Sequence, residues 1–368
     1  MGAIEDRIKE VEEEIQTTLY NKKSMHHIGK LKAKLARLRE ESELQRSKGG
    51  GGGKRFAVKK SGHATVALLG APNTGKSTLL NKITEATSEV GNFAFTTKDI
   101  FPGVVTCSGA KIQILDMPGI LSGAASGRGR GREVLGVARS ADLIVIFIDV
   151  FNPDIGAIVR EAHEVGIRMN ARPPEITIAK RDRGGITISS TGPLRKLDEA
   201  TARAILNEFG IVNGDVLFRR DSTPEDLIDA LSQSSRSYVP AIVVLNKIDM
   251  ISPQELRARL EALKGWKVYP ISADKGQGLE ELKMGIYNAL GFRHIYLKPQ
   301  GGGVDRKVPL ILKRGGTVGD VCDLLHKEFR KKFRYAFVWG SSVKYGGQRV
   351  GIVHEMADGD VLTIVVRI

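Results

Sequence analysis

Apolar positions near the start of the chain recur every three or four residues. Ile4, Ile8, Val11, Ile15 and Leu19 form one stripe, and Ile28, Leu31, Leu35 and Leu38 form a second. Each stripe marks an amphipathic helix, and the polar stretch YNKKSMHH interrupts them, so residues 1–47 read as a helical hairpin. The hairpin either packs only on its own chain or presents a face to a partner. Lys48 to Lys54 then reads KGGGGGK. Consecutive glycines retain too much backbone freedom to hold a helix, which makes 48–62 a flexible linker.

Beyond the linker the period changes. Nearly continuous apolar runs (ATVALLG, KIQILD, LIVIFID, AIVVLN, KVYPIS) alternate with helical patterns. Strands that are apolar on both faces predict an α/β domain over 63–292, with a parallel sheet covered on both sides. About seventy residues between the helix after Asp154 and the strand at Ala241 exceed an ordinary connection. They carry their own strands (EITIAK, GITISS, DVLFRR) and helices (DEATARAILNEF, PEDLIDALSQ), predicting a small α+β domain inserted at about 168–238. From Arg293 the strands VPLILK, YAFVWG and VLTIVVRI surround one predicted helix, Thr317 to Phe329, with Thr317 as its N-cap. That order predicts a β-grasp module over 293–368.

The net charge of +14 is unevenly placed. Residues 22–60 hold 13 Lys and Arg against 3 Asp and Glu, and residues 293–368 hold 14 against 7. Basic ends around a near-neutral middle imply that the ends meet a polyanion, RNA or the ribosome, while the middle does the chemistry. Solvated helix faces would give the same composition. Cys107 and Cys322 show no pairing or metal spacing, as expected in a reducing cytoplasm. The charged N-terminus is not a signal peptide, and the longest apolar run is strand-sized, so no membrane partner is expected.

The chemistry is carried by four short motifs. Gly70, Ala71, Pro72, Asn73, Thr74, Gly75, Lys76 and Ser77, followed by Thr78, fit G-x-x-x-x-G-K-[ST] between a strand and a helix. Glycines let backbone N–H groups wrap phosphates, Lys76 reaches the β- and γ-phosphates, and Ser77 ligates Mg²⁺. Asp116 ends a strand and opens DMPG, where it would hold Mg²⁺ through water and the Gly119 N–H would meet the γ-phosphate. In NKID, Asn246 and Lys247 precede Asp249, which can accept both N–H groups on guanine's Watson–Crick edge. In SADKG, Ser272, Ala273 and Asp274 would bring a backbone N–H to guanine O6. Thr96 and Thr97, in NFAFTTKD, offer the remaining Mg²⁺ ligand, with Thr97 the better placed. Four motifs in this order, each at a strand's C-terminal end, point to GTP and GDP binding.

GGGGG, SGHATVALLGAPNTGKSTLLNKIT, FAFTTKDIFPG, DMPGILSGAASGRGRGREVLGVARSADLI and RYAFVWGSSVKYGGQRVG resemble the developmentally regulated GTP-binding proteins of the Obg superfamily. The resemblance spans essentially the whole chain. It implies a P-loop GTPase domain, an insertion like ribosomal S5 domain 2, and a C-terminal TGS domain. It also implies GTP hydrolysis and association with the ribosome or tRNA, with any protein partner docking through the TGS or helical region. Phosphate loops in this group often carry serine where this chain has Asn73.

One position needs an explanation. Ras-like enzymes place a water-orienting glutamine after the DxxG glycine, whereas this chain has Ile120. The resemblance implies that K⁺, held by an asparagine three residues before the phosphate-loop lysine, supplies positive charge instead. Asn73 is in that place; the lesser alternative is that it only shapes the turn. Arg128, Arg130 and Arg132 could act in cis, but interleaved glycines make them better partner contacts. The expected protein is therefore a cytoplasmic, Mg²⁺-dependent GTPase switch. The alternative is a nucleotide-gated RNA-binding scaffold with incidental hydrolysis.

Overall fold

In a computed structural model describing residues 2–19, 24–49, 62–84, 101–117 and 137–367, two helices open the chain. Helix α1 (Gly2–Thr17) and helix α2 (Met25–Gly49) bury their stripes against each other, joining Ile8 and Val11 to Leu31 and Leu38. Arg39 and Glu12, 2.7 Å apart, pin the pair from outside the apolar seam. Next come β1 (Ala64–Gly70), α3 (Lys76–Ile83), β2 (Phe101–Cys107), β3 (Ala110–Asp116), β4 (Leu143–Asp149) and α4 (Gly156–Glu164). Every residue of β1 and β4 is buried, as their unbroken apolar sequences require.

Strands β5 (Ile167–Met169), β6 (Ile176–Lys180), β7 (Ile186–Ser190), β8 (Gly214–Phe218) and β9 (Ser237–Val239) follow, with helices α5 (Glu199–Glu208) and α6 (Pro224–Leu231). The sheet β6-β8-β7 turns Ile176, Val216 and Phe218 toward Ile205 and Leu227 of the helices. Ala33 and Ala36 of α2 enter that same core. Lys32 pairs with Glu225, and the Arg37 Nη1 donates to the Glu208 carbonyl at 2.8 Å. Hairpin and insertion thus share one apolar core, and Met1–Arg55 with Gly166–Tyr238 form one compact unit. Within it, Asp229 accepts from Arg168 at 2.6 and 2.7 Å and from the Arg236 Nε at 2.7 Å.

The second unit, Phe56–Val165 with Val239–Ile368, completes the large sheet through β10 (Ala241–Asn246) and β11 (Val268–Pro270). Helices α7 (Pro253–Ala262) and α8 (Leu279–Leu290) belong to this part. The strand order is β11-β10-β4-β1-β3-β2. All neighbours run parallel except β2, which pairs antiparallel with β3. The expected all-parallel sheet therefore gains an antiparallel edge. The cause is local: Ser108 (φ 48°) and Gly109 (φ 80°) form a two-residue turn with both φ positive, the hairpin geometry that matches strand twist.

The tail forms a five-stranded sheet, order β13-β12-β16-β14-β15. Its strands are β12 (Arg293–Leu297), β13 (Asp305–Leu312), β14 (Phe333–Trp339), β15 (Gln348–Val350) and β16 (Val361–Val366). Thr317 caps α9 (Val318–Leu325) in a reciprocal box with Asp320. The helix expected to run to Phe329 instead breaks at His326, whose extended backbone ends α9 and whose Nδ1 accepts from the Glu328 amide at 3.2 Å. A short helix α10 (Lys327–Lys331) follows. Ile311 of β13 packs into the core of the large sheet, so tail and nucleotide domain belong to the same unit.

Candidate nucleotide site

Three turns converge at the C-terminal ends of β1, β10 and β11, and Asp116 ends β3 beside the first of them. The first leaves β1 at Gly70, where a Cβ would stand 2.1 Å from the Phe147 carbonyl oxygen, so only glycine lets the chain turn there. Asn73 has φ 62°, a left-handed conformation that asparagine tolerates. Its carboxamide is exposed and makes no hydrogen bond among the described residues. Gly75 at φ 99° delivers the chain into α3, and a Cβ there would lie 2.4 Å from the Asn246 Nδ2. The Thr74 hydroxyl donates to the Ala71 carbonyl at 2.9 Å, closing the loop on itself. Pro72 and Thr78 are exposed on either side of it.

Lys76, at the start of α3, is only 7% exposed. Its Nζ donates to the carbonyls of Gly70 (3.0 Å) and Ala71 (2.7 Å). Burial pushes its ammonium below the ordinary lysine range, against the pull of the Asp116 carboxylate. Beside it, the Ser77 hydroxyl donates to the Asp116 Oδ2 at 2.7 Å. A hydroxyl and a carboxylate oxygen therefore meet next to a buried cation at a helix N-terminus.

Asn246 joins the phosphate loop to the turns that follow β10 and β11. Its Nδ2 donates to the Thr74 carbonyl at 2.8 Å, and its Oδ1 accepts from the Ala273 amide at 2.9 Å. The same side chain thus holds both the phosphate loop and the SADKG loop. Lys247 adopts φ 66° and donates to the Asn73 carbonyl at 3.2 Å. The Ser272 hydroxyl accepts from the Lys275 amide at 3.1 Å, and paired backbone bonds between Ser272 and Gln277 close that turn. Asp249 and Asp274 stand exposed beyond it.

One residue at this site belongs to none of the four motifs. Asp149, at the end of β4 and in register with Asn246, accepts from the Lys247 Nζ at 2.7 Å. Its other oxygen accepts the amides of Phe151 (3.1 Å) and Asn152 (2.9 Å). An acid ending a buried apolar strand at the ligand-binding edge was the available signal. The proposed Thr96, Thr97 and Gly119, like Ile120 and the arginines at 128, 130 and 132, lie outside the described residues. Among the described residues no cluster of three His, Cys, Asp or Glu could hold a metal, and no helix is long and apolar enough to cross a membrane.

Residues 65–180 match the family described as 50S ribosome-binding GTPase, residues 183–292 match the C-terminal region of that domain, and 293–366 match the TGS domain. The chain is 52% identical to a GTP-binding protein of Methanocaldococcus jannaschii over 99% of its own length and 93% of that protein's. It is 45% identical to Developmentally-regulated G-protein 3 of Arabidopsis thaliana over the whole of both chains. It is 43% identical to Ribosome-interacting GTPase 1 of Saccharomyces cerevisiae over 99% of both. Sheet, phosphate loop and tail define a GTP-binding P-loop GTPase with a C-terminal TGS domain. The chain belongs to the developmentally regulated GTP-binding protein family.

Proposed function

We propose that this GTPase is a cytoplasmic two-state switch that associates with the ribosome or RNA according to its bound nucleotide. The observation that carries the proposal is the meeting of the Ser77 hydroxyl and Asp116 carboxylate beside Lys76. It couples the phosphate loop directly to the start of the DxxG segment, so the presence of a γ-phosphate can be felt there. The basic ends and the name of the yeast relative support ribosome or RNA as the partner.

In this reading Lys76 leaves the Gly70 and Ala71 carbonyls to bind the β- and γ-phosphates. Asp249 accepts from the guanine edge, and an N–H of the Ser272–Asp274 turn donates to O6. The oxygen donors Ser77, Thr97 and, through water, Asp116 suit Mg²⁺, a hard cation that neutralises phosphate charge when bound. The exposed Asn73 carboxamide is an oxygen donor suited to K⁺, whose charge would offset that developing on the transferred phosphoryl group. The Gly119 N–H and backbone groups of the NFAFTTKD segment orient the γ-phosphate and the attacking water.

Sedimentation of tagged protein with ribosomes, under GDP and under a non-hydrolysable GTP analogue, tests the switch. More co-sedimentation with one nucleotide than the other is expected, with the difference abolished in Lys76→Ala. Equal co-sedimentation in both states would leave a scaffold whose hydrolysis is incidental.

A further inference from the structure

The tail sheet has two unlike faces. Ala336, Val338, Leu362 and Ile295 point into the core beneath α9. The opposite face carries Tyr335, Phe337 and Trp339 at alternate positions of β14. Their ring centroids are 5.3 Å apart for Tyr335 and Phe337, and 6.4 Å for Phe337 and Trp339. None of these rings belongs to the core cluster, and all three are half-buried. A register shift between Phe333 and Tyr335 produces the arrangement, sending Phe333 to the core and the later aromatics outward. The β13 side of this outer face is taken by the nucleotide domain, through Ile311 and the Lys313–Asp142 pair at 2.6 Å. The aromatic column lies on the other side, next to the edge strand β15.

Cations flank the column. Phe337 is in register with Arg349 on one side and Thr363 on the other. Each cation leans onto a neighbouring ring: Arg349 Cζ sits 4.1 Å from the Tyr335 centroid, and Lys298 Nζ sits 4.6 Å from that of Trp339. Arg334 approaches Tyr335 at 5.7 Å. Among the described residues, Lys298, Arg334 and Arg349 make no ion pair. Ring faces are their partners instead, and that is a weak use of a charge at a water-exposed surface.

We infer that this face binds single-stranded RNA, its unpaired bases stacking on Tyr335, Phe337 and Trp339 while Lys298, Arg334 and Arg349 take the phosphates. The inference deepens the proposed RNA association and rests on it. An unpaired strand supplies both things the face lacks: a π-face for each ring and an anion for each displaced cation. A regular duplex offers phosphates but keeps its bases stacked internally. An apolar protein surface would bury the three cations without partners, at a desolvation penalty.

The test uses the full-length protein with the substitution Trp266→Phe, which leaves Trp339 as the sole indole, since the chain has two tryptophans. A 12-nucleotide oligoadenylate should quench Trp339 fluorescence, and a duplex of that length should not. Phe337→Leu keeps the apolar bulk but removes the π-face. It should weaken oligoadenylate binding by about tenfold, the scale of a single base stack, with GTP affinity unchanged. Phe337→Tyr should restore it. If RNA binds without quenching and Phe337→Leu binds equally well, stacking here is overturned while RNA association survives. Equal affinity for duplex and single strand assigns the binding to phosphates alone and also overturns it. Loss of a protein partner in Phe337→Leu, with RNA affinity intact, overturns it too. Failure of every form to bind RNA removes the wider proposal as well.

Discussion

Asp249 stands exposed at the mouth of the site, on a short turn that follows Lys247 and leaves its carboxylate open to a base. If it selects guanine, Asp249→Asn exchanges an acceptor for a mixed donor and acceptor and should favour xanthine nucleotides. A site built to hydrogen-bond one edge rejects the mismatched base by on the order of 10⁴-fold. Competition between GTP and XTP measures this, and unchanged GTP affinity would remove Asp249 from base recognition. Asn73 gives a second residue-scale prediction. GTP turnover should rise when K⁺ replaces Na⁺ at fixed ionic strength, so that screening is constant. Asn73→Ala should abolish that rise but spare GDP affinity, since charge develops chiefly in the transition state. Stimulation that persists in Asn73→Ala would leave Asn73 as a turn residue only, a role its φ of 62° already gives it. The motif residues were legible because each lies in a contiguous run that ends a strand. Asp149 was not, since its partner Lys247 is 98 positions away and only strand register brings them together.

At the scale of elements, helix starts were the readable features. Thr317 was expected as a cap from its own residue type, and Asp320 returns the bond, as a capping box requires. The break at His326 was not readable, because the apolar spacing runs on through Leu325 to Phe329 and no glycine or proline interrupts it. Strand β15, three residues long, has no pattern of its own and exists through pairing with β14. Asp198 offers the clearest test of a cap. It heads α5, accepting the Thr201 amide at 2.8 Å and the Thr201 hydroxyl at 2.7 Å. Burial works against its carboxylate, but these bonds outweigh it and hold its pKa below the ordinary value. A depressed carboxylate contributes stability that is present above the unfolded pKa, about 3.9, and lost as pH falls through the lower folded value. Asp198→Ala should therefore cost about 1 kcal/mol at pH 7. The gap from wild type, followed by urea unfolding, should narrow as pH falls below about 4. A gap of constant size down to pH ~3 would show that the cap's charge plays no part.

At the scale of the whole molecule, the structure changes what the two basic ends can mean. In the hairpin, Lys32, Arg37 and Arg39 are spent on Glu225, Glu208 and Glu12, so part of that positive excess is internal to its own unit. Composition could not show this, since the partners of Lys32 and Arg37 lie in the insertion, far along the chain. Nor could it show that Ala33 and Ala36 enter the insertion's core. Deleting the hairpin would uncover that core, and deleting the tail would remove Ile311 from the nucleotide domain's core. Charge must therefore be tested by substitution. In the tail, Arg306, Lys307, Lys332 and Lys344 are exposed and make no ion pair among the described residues. If they meet phosphates, replacing all four with glutamine should weaken RNA binding. The slope of log affinity against log salt should then flatten by about 0.7–0.9 for each phosphate that is no longer neutralised. GTP affinity should stay unchanged, because none of the four belongs to the phosphate loop or the NKID turn. Neutralising Lys32 and Arg37 should instead lower stability and leave the slope as it was. If the fourfold tail variant binds RNA with the parent's slope, the tail's charge is ordinary surface solvation and the polyanion is met elsewhere.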